Sequence, residues 1–132
     1  HSLAYCTAAA LTDGNVTLET FSDKRLKDKK LLNLVDKVTV VVDAELDKLY
    51  PEAVPNRVEV KLKNGRVISK EILYPLGHHK TPMTDAQVEE KFTSLASARY
   101  TGNAIKRILS TLWGIEKIKD LSKVFKLFAK VK

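Results

Sequence analysis

Ser2 to Thr12 is a run of small and apolar residues, without glycine or proline, and Asp13-Gly14 follows it as a helix terminator does. The pattern predicts a buried helix that starts at once, with no capping residue ahead of it. Thr17 to Asp23 is turn-rich, and Leu18 and Phe21 have the spacing of one helical turn. Asp28 is placed to cap a second helix whose narrow apolar face is Leu31, Leu32 and Val35. Lys37 to Asp43 carries Val38-Thr39-Val40-Val41-Val42, a β-branched run that predicts a strand.

A polar connection with Pro51 and Pro55 leads to Arg57–Leu62, where Val58, Val60 and Leu62 alternate with Glu59 and Lys61. Asn64-Gly65 and a second β-branched stretch, Arg66 to Leu73, complete a hairpin pattern, for which a type I′ turn is expected. Pro75, Gly77 and Pro82 keep the next segment out of regular structure. Thr84 and Gln87 have the spacing of a capping box, and Val88, Phe92, Leu95 and Ala96 repeat at helical intervals after it. Ile105, Ile108, Leu109 and Leu112 mark another helix ending at Trp113-Gly114. A last one, capped by Asp120, holds Leu121, Val124, Phe125, Phe128 and Val131. Helices, a strand, a hairpin and three further helices, with no βαβ alternation, predict an α+β fold.

The 132 residues, 44% of them hydrophobic, suit one modest core. No window approaches the roughly 18 consecutive apolar residues of a membrane span, so no membrane association is expected. Cys6 is the only cysteine, which excludes an intrachain disulfide and fits a reducing, cytoplasmic setting. In its apolar run an inert thiol is expected. The first residue is His1, and a helix opening there without a cap suggests that residues precede it in a longer parent.

The net charge of +7 is concentrated toward the end, where Lys106, Arg107, Lys117, Lys119, Lys123, Lys126, Lys130 and Lys132 face only Glu116 and Asp120. Two readings stand. The lysines alternate with apolar residues as the solvated face of a helix does, or they form a basic module for nucleic acid or an acidic partner.

Motifs for nucleotides, an activated serine or zinc are absent from the sequence. The three histidines are His1, His78 and His79, and adjacent loop histidines diverge, so no metal site is expected. Tyr74 to Lys80 places a phenol, two imidazoles and an ammonium on one proline-bounded loop. Such groups can hold carboxylates and move protons near neutral pH, or they can serve a sharp turn and solvent. Tyr5 has two readings as well, as a core residue or with its hydroxyl in a cleft.

His1-Ser2-Leu3-Ala4-Tyr5, with Ala8 through Gly14, resembles the H-S-x-x-Y…A-x-x-L-x-D-G stretch of the MmgE/PrpD family. Phe21-Ser22-Asp23 with Leu26, Val58 through Gly65, Tyr74-Pro75-Leu76-Gly77-His78, and Pro82 through Phe92 are similar to later pieces of that family, in the same order. The resemblance implies a parent about three times as long, with a large helical domain and a smaller α+β domain. Residues 1–100 would belong to the smaller domain, and 101–132 would be C-terminal helices packing on the helical one.

The resemblance also implies chemistry: dehydration, decarboxylation or epimerisation of small di- or tricarboxylates, such as 2-methylcitrate, cis-aconitate or iminodisuccinate, without cofactor or metal. Most acid, base and anion-binding groups would precede His1. Tyr5 matches a tyrosine bordering the pocket, which makes it the one catalytic candidate. His1 and Ser2 match the same motif as substrate-binding candidates, and His78 matches a loop position that serves substrate binding or domain contact. The expected partners are the carboxylate substrate in the full-length parent and a second copy in a homodimer, while nucleic acid and membrane are not expected. Half of a cleft lacks the facing groups that such chemistry needs, so the isolated chain is expected to be inactive.

Overall fold

The computed structural model describes residues 2–129, and the predictions that involve His1, Lys130, Val131 and Lys132 lie outside the described residues. Helices and a two-stranded antiparallel sheet make it α+β, as the sequence predicts. The chain divides into two compact units, His1–Pro75 and Leu76–Lys132. This partition by compactness differs in kind from the division expected at residue 100, which concerns packing on another domain.

In the first unit, helix α1 (Leu3–Asp13) runs as far as Gly14, whose φ of +75° closes it with a bond from its own N–H to the Ala10 carbonyl. Its start corrects the expectation of an uncapped helix. Ser2 is extended, and its Oγ accepts from the Tyr5 N–H at 3.2 Å. A single-turn 3-10 helix, Glu19–Phe21, and the short α2 (Asp23–Leu26) follow. Then comes α3 (Lys29–Val35), capped by Asp28, whose carboxylate accepts from the Lys30 and Leu31 N–H groups. Ala8 and Ala9 are fully buried and let α1 approach α3 closely, so that Leu31, 1% exposed, fills the space beside Tyr5. Leu34, Val35 and Val38 pack around this small core.

The strand predicted at Lys37–Asp43 does not form. Residues 38–43 run without regular structure, with Val40, Val41 and Val42 at 58%, 77% and 88% exposure. A strand is defined by its ladder, and local β-propensity cannot supply a neighbour. The one-turn α4 (Ala44–Asp47), capped by Asp43, leads toward the hairpin.

Strands β1 (Asn56–Lys61) and β2 (Val67–Ile72) pair antiparallel, from Asn56 opposite Ile72 to Lys61 opposite Val67. The turn is tight where Asn64-Gly65 predicts it, but it is not type I′. Within the loop only Gly65 has positive φ (+84°), no non-glycine residue among the described residues does, and the Gly65 N–H donates to the Leu62 carbonyl at 3.0 Å. Those features fit a type I turn followed by a left-handed glycine, the geometry of a three-residue hairpin loop. Val58, Val60, Ile68 and Ile72 share one face by this register, yet Val58, Ile68 and Ile72 remain 38–49% exposed. The apolar side of the hairpin is open.

In the second unit, α5 (Asp85–Ala96) begins with the predicted capping box, in which the Thr84 side chain and the Gln87 N–H are joined and the Gln87 side chain accepts from the Thr84 N–H. Helix α6 (Gly102–Trp113), capped by Thr101, buries Ile105 and Ile108. After the 3-10 turn Ile115–Lys117 comes α7 (Ser122–Phe128), which buries Val124. The N-cap position is Leu121, without a side-chain cap, rather than Asp120 as expected; Asp120 stands one residue earlier, and its carboxylate accepts from the Ser122 N–H at 2.9 Å. Two polar links tie these helices. The Trp113 indole donates to Glu89 at 2.7 Å, and the Tyr100 hydroxyl donates to the Phe128 carbonyl at 2.9 Å, with the two rings edge to face. No helix among the described residues is long and apolar enough to cross a membrane.

Candidate functional site

The predicted site residues are distributed over both units. Ser2 and Tyr5 stand on the first turn of α1, and His78 lies on the loop that opens the second unit. His1 lies outside the described residues.

Tyr5 is 8% exposed, and its hydroxyl donates to the Thr20 carbonyl at 2.7 Å. Its ring lies 6.0 Å from that of Phe21, tilted by 39°. Thr20 is itself buried, and its Oγ1 accepts from the Thr17 N–H at 2.9 Å. A phenol held this way anchors the 3-10 turn against α1, and its only proton is committed to Thr20. What remains toward an incoming ligand is the oxygen's capacity to accept. Ser2 is exposed, with its hydroxyl oxygen used in capping α1.

His78 is half-buried. Gly77, with φ of +95°, turns the chain so that its N–H donates to the Thr81 carbonyl, while the Thr81 N–H donates to the His78 carbonyl, both at 2.8 Å. The imidazole Nδ1 accepts from the Lys80 N–H at 3.2 Å, and the His79 ring lies 4.2 Å away. A neutral imidazole with Nδ1 as acceptor carries its proton on Nε2. The loop is therefore a self-braced turn that fixes one imidazole. Cys6 is half-buried and unpaired. No group of three or more His, Cys, Asp or Glu among the described residues is placed to hold a metal ion.

Two ion-pair clusters were not apparent from the sequence. Arg25 joins Asp13, at 2.6 Å, to Asp28, fastening the end of α1 to the start of α3. The two carboxylates, hydrogen bonding to Asp13 first, raise the Arg25 pKa, while the Lys30 and Leu31 N–H groups, followed by Arg25, lower that of Asp28. Arg57 bridges Asp43 at 2.9 Å and Glu71 at 2.8 Å, and its pKa is raised by Glu71 above all. Glu71 lies opposite Arg57 in the hairpin, so the strand register was the one signal that would have found that pair. In both clusters the charges serve to fasten elements together.

The model of the MmgE/PrpD C-terminal domain matches residues 1–115. The cis-aconitate decarboxylase-like protein oryM of Aspergillus oryzae is 29% identical over 126 residues, covering 96% of this chain and 26% of that protein. A cis-aconitate decarboxylase of Aspergillus terreus is 28% identical over 128 residues, with the same two shares, and the human cis-aconitate decarboxylase is 25% identical over 126 residues, 92% of this chain and 25% of its own length. A 2-methylcitrate dehydratase-like protein of Aspergillus oryzae, oryR, is 26% identical over 119 residues, with shares of 85% and 24%. The chain thus spans about a quarter of the length of the relatives it matches. With most of its residues matched by the family model, the chain belongs to the MmgE/PrpD family, in the part that forms the C-terminal domain.

Proposed function

We propose that these residues are the C-terminal part of an enzyme that removes carbon dioxide or water from a small di- or tricarboxylate, with cis-aconitate or 2-methylcitrate as the model substrates, and that they are inactive alone. The observation that carries the reading is the match along 96% of the chain to proteins named for cis-aconitate decarboxylation. Elimination or decarboxylation of this kind needs a base or acid beside the reacting carbon and cations around the carboxylates. In this reading Ser2 and Tyr5 contribute to the substrate pocket from the first unit, and His78 is a separate substrate-binding candidate on the second. Tyr5 offers a fixed oxygen, and donation from it requires giving up the Thr20 carbonyl.

The surface supports incompleteness. Accessible area totals 10773 Å². Two separate compact domains dividing this mass would expose only roughly 8,400 Å² by the size scaling of folded proteins. Much of the surplus is apolar, with Leu3, Leu18, Val41, Val42, Ile72 and Phe125 open to solvent. Surfaces of this kind belong against another domain or a second copy, and a homodimer in the cytoplasm is part of the proposal.

Turnover of cis-aconitate and 2-methylcitrate by the full-length polypeptide and by residues 1–132 tests it. Metal-independent conversion is expected from the former and none from the latter. Conversion by residues 1–132 alone, or no conversion of either acid by the full-length polypeptide, contradicts the proposal.

A further inference from the structure

The first unit contains a gap between two lengths of backbone that have hydrogen-bonding capacity to spare. On one side runs the β-branched stretch Thr39–Val42. Among the described residues its peptide groups make no main-chain hydrogen bond, although Val38 before it and Asp43 after it do. On the other side is the outer edge of β1. The Leu62 N–H donates to the Arg66 carbonyl at 2.8 Å, and this fixes the parity of the hairpin. The main-chain groups of Asn56, Val58 and Val60 face β2, and those of Arg57, Glu59 and Lys61 point outward. Between the two lies a groove of about 730 Å³, lined among others by Thr39, Val42, Asp43, Asn56, Arg57 and Glu59. The Arg57–Asp43 ion pair holds its two sides together at one end.

We infer that this groove is a strand slot: an extended segment lies in it, bonding to the outer edge of β1 on one side and to Thr39–Val42 on the other, and turns the hairpin into a four-stranded sheet. Residues 39–43 in extended form measure roughly 16 Å, an ordinary strand length. Filling the slot satisfies both rows of peptide groups at once, and it explains why a run with strong strand character stands apart here without a ladder. Exposed edges of this kind attract strands.

The occupant is a segment of the same polypeptide outside residues 1–132. Among the described residues the only strands are β1 and β2, already paired with each other, and a second copy carries the same two. The relatives, by contrast, have about three quarters of their length outside the matched region. The inference therefore rests on the proposed function, in which the chain is part of a longer enzyme.

Residue-resolved amide hydrogen exchange on residues 1–132 and on the full-length polypeptide tests it. In the shorter chain Val58 and Val60 should exchange slowly and Arg57, Glu59 and Lys61 fast. In the full-length polypeptide all five should be slow, the outer three by on the order of 100-fold or more relative to the short chain, together with alternate amides of Thr39–Val42. Outer amides that exchange equally fast in both overturn the slot while leaving the longer-enzyme reading intact. A reading frame with nothing beyond these residues overturns both. Glu59→Pro is a second arm, since it deletes an outward N–H that an edge strand does not use. It should leave the thermal midpoint of residues 1–132 within about 1 °C and lower that of the full-length polypeptide by several degrees. An unchanged midpoint in the full-length polypeptide counts against the slot.

Discussion

Replacing Tyr5 by Phe removes one oxygen from the buried core of the first unit, and its consequence can be worked from the geometry. The ring stays against Phe21 and beside Ala8, Ala9 and Leu31, so no cavity opens. The loss is the 2.7 Å bond to the Thr20 carbonyl, at a place where both residues are under 10% exposed. A buried neutral bond contributes about 1 kcal/mol net, and an acceptor left without its donor adds to the cost, so about 1–2 kcal/mol is expected. For a domain of this size each kcal/mol lowers the thermal midpoint by about 4–8 °C. Urea or thermal unfolding of residues 1–132 and of Tyr5→Phe, followed by circular dichroism, measures it. A fall in midpoint with an unchanged denaturant slope is expected. An unchanged midpoint would refute the anchoring role and leave the hydroxyl for the pocket alone.

Three further outcomes follow from the same packing and capping. Leu31→Ala empties the space between α1 and α3 and should cost about 2–5 kcal/mol, enough to abolish a cooperative transition of the first unit, as read by near-ultraviolet circular dichroism. Thr84→Ala breaks the capping box of α5 at about 1 kcal/mol, and Thr84→Ser should restore most of it in the same melting experiment. Asp28, whose pKa is lowered by two backbone N–H groups and Arg25, stabilises the fold fully above the ordinary aspartate range near pH 4. That contribution should fade as pH falls below it through the lowered value, so the stability gap between the native chain and Asp28→Asn closes in acid and is constant from pH 6 to 8.

What the sequence made legible was local. The Thr84–Gln87 box, the Asp28 cap, the Gly14 terminator and the place of the hairpin turn depend on residues within a few positions of each other, and each appears where expected. The turn type was misjudged because pairing of Leu62 with Arg66 leaves three residues in the loop, a matter of register beyond the Asn-Gly pair itself. The Val38–Val42 run was misjudged because a ladder needs a neighbour that its own composition cannot reveal. Tyr5 had two open readings, and what decides the direction of its hydroxyl is a carbonyl fifteen residues away. The Arg25 and Arg57 clusters likewise depend on separations of twelve and fourteen residues. The resemblance of ordered motifs fared better than periodicity for identity, since the family match covers the same stretch from His1 through the α5 region.

The central claim is that this polypeptide carries one wall of a carboxylate pocket. Isothermal titration of cis-aconitate into residues 1–132 and into the full-length polypeptide tests it most directly. Saturable heat with the full-length polypeptide and none with residues 1–132 is the predicted result; saturable one-to-one binding to residues 1–132, weakened by Tyr5→Phe, would contradict it.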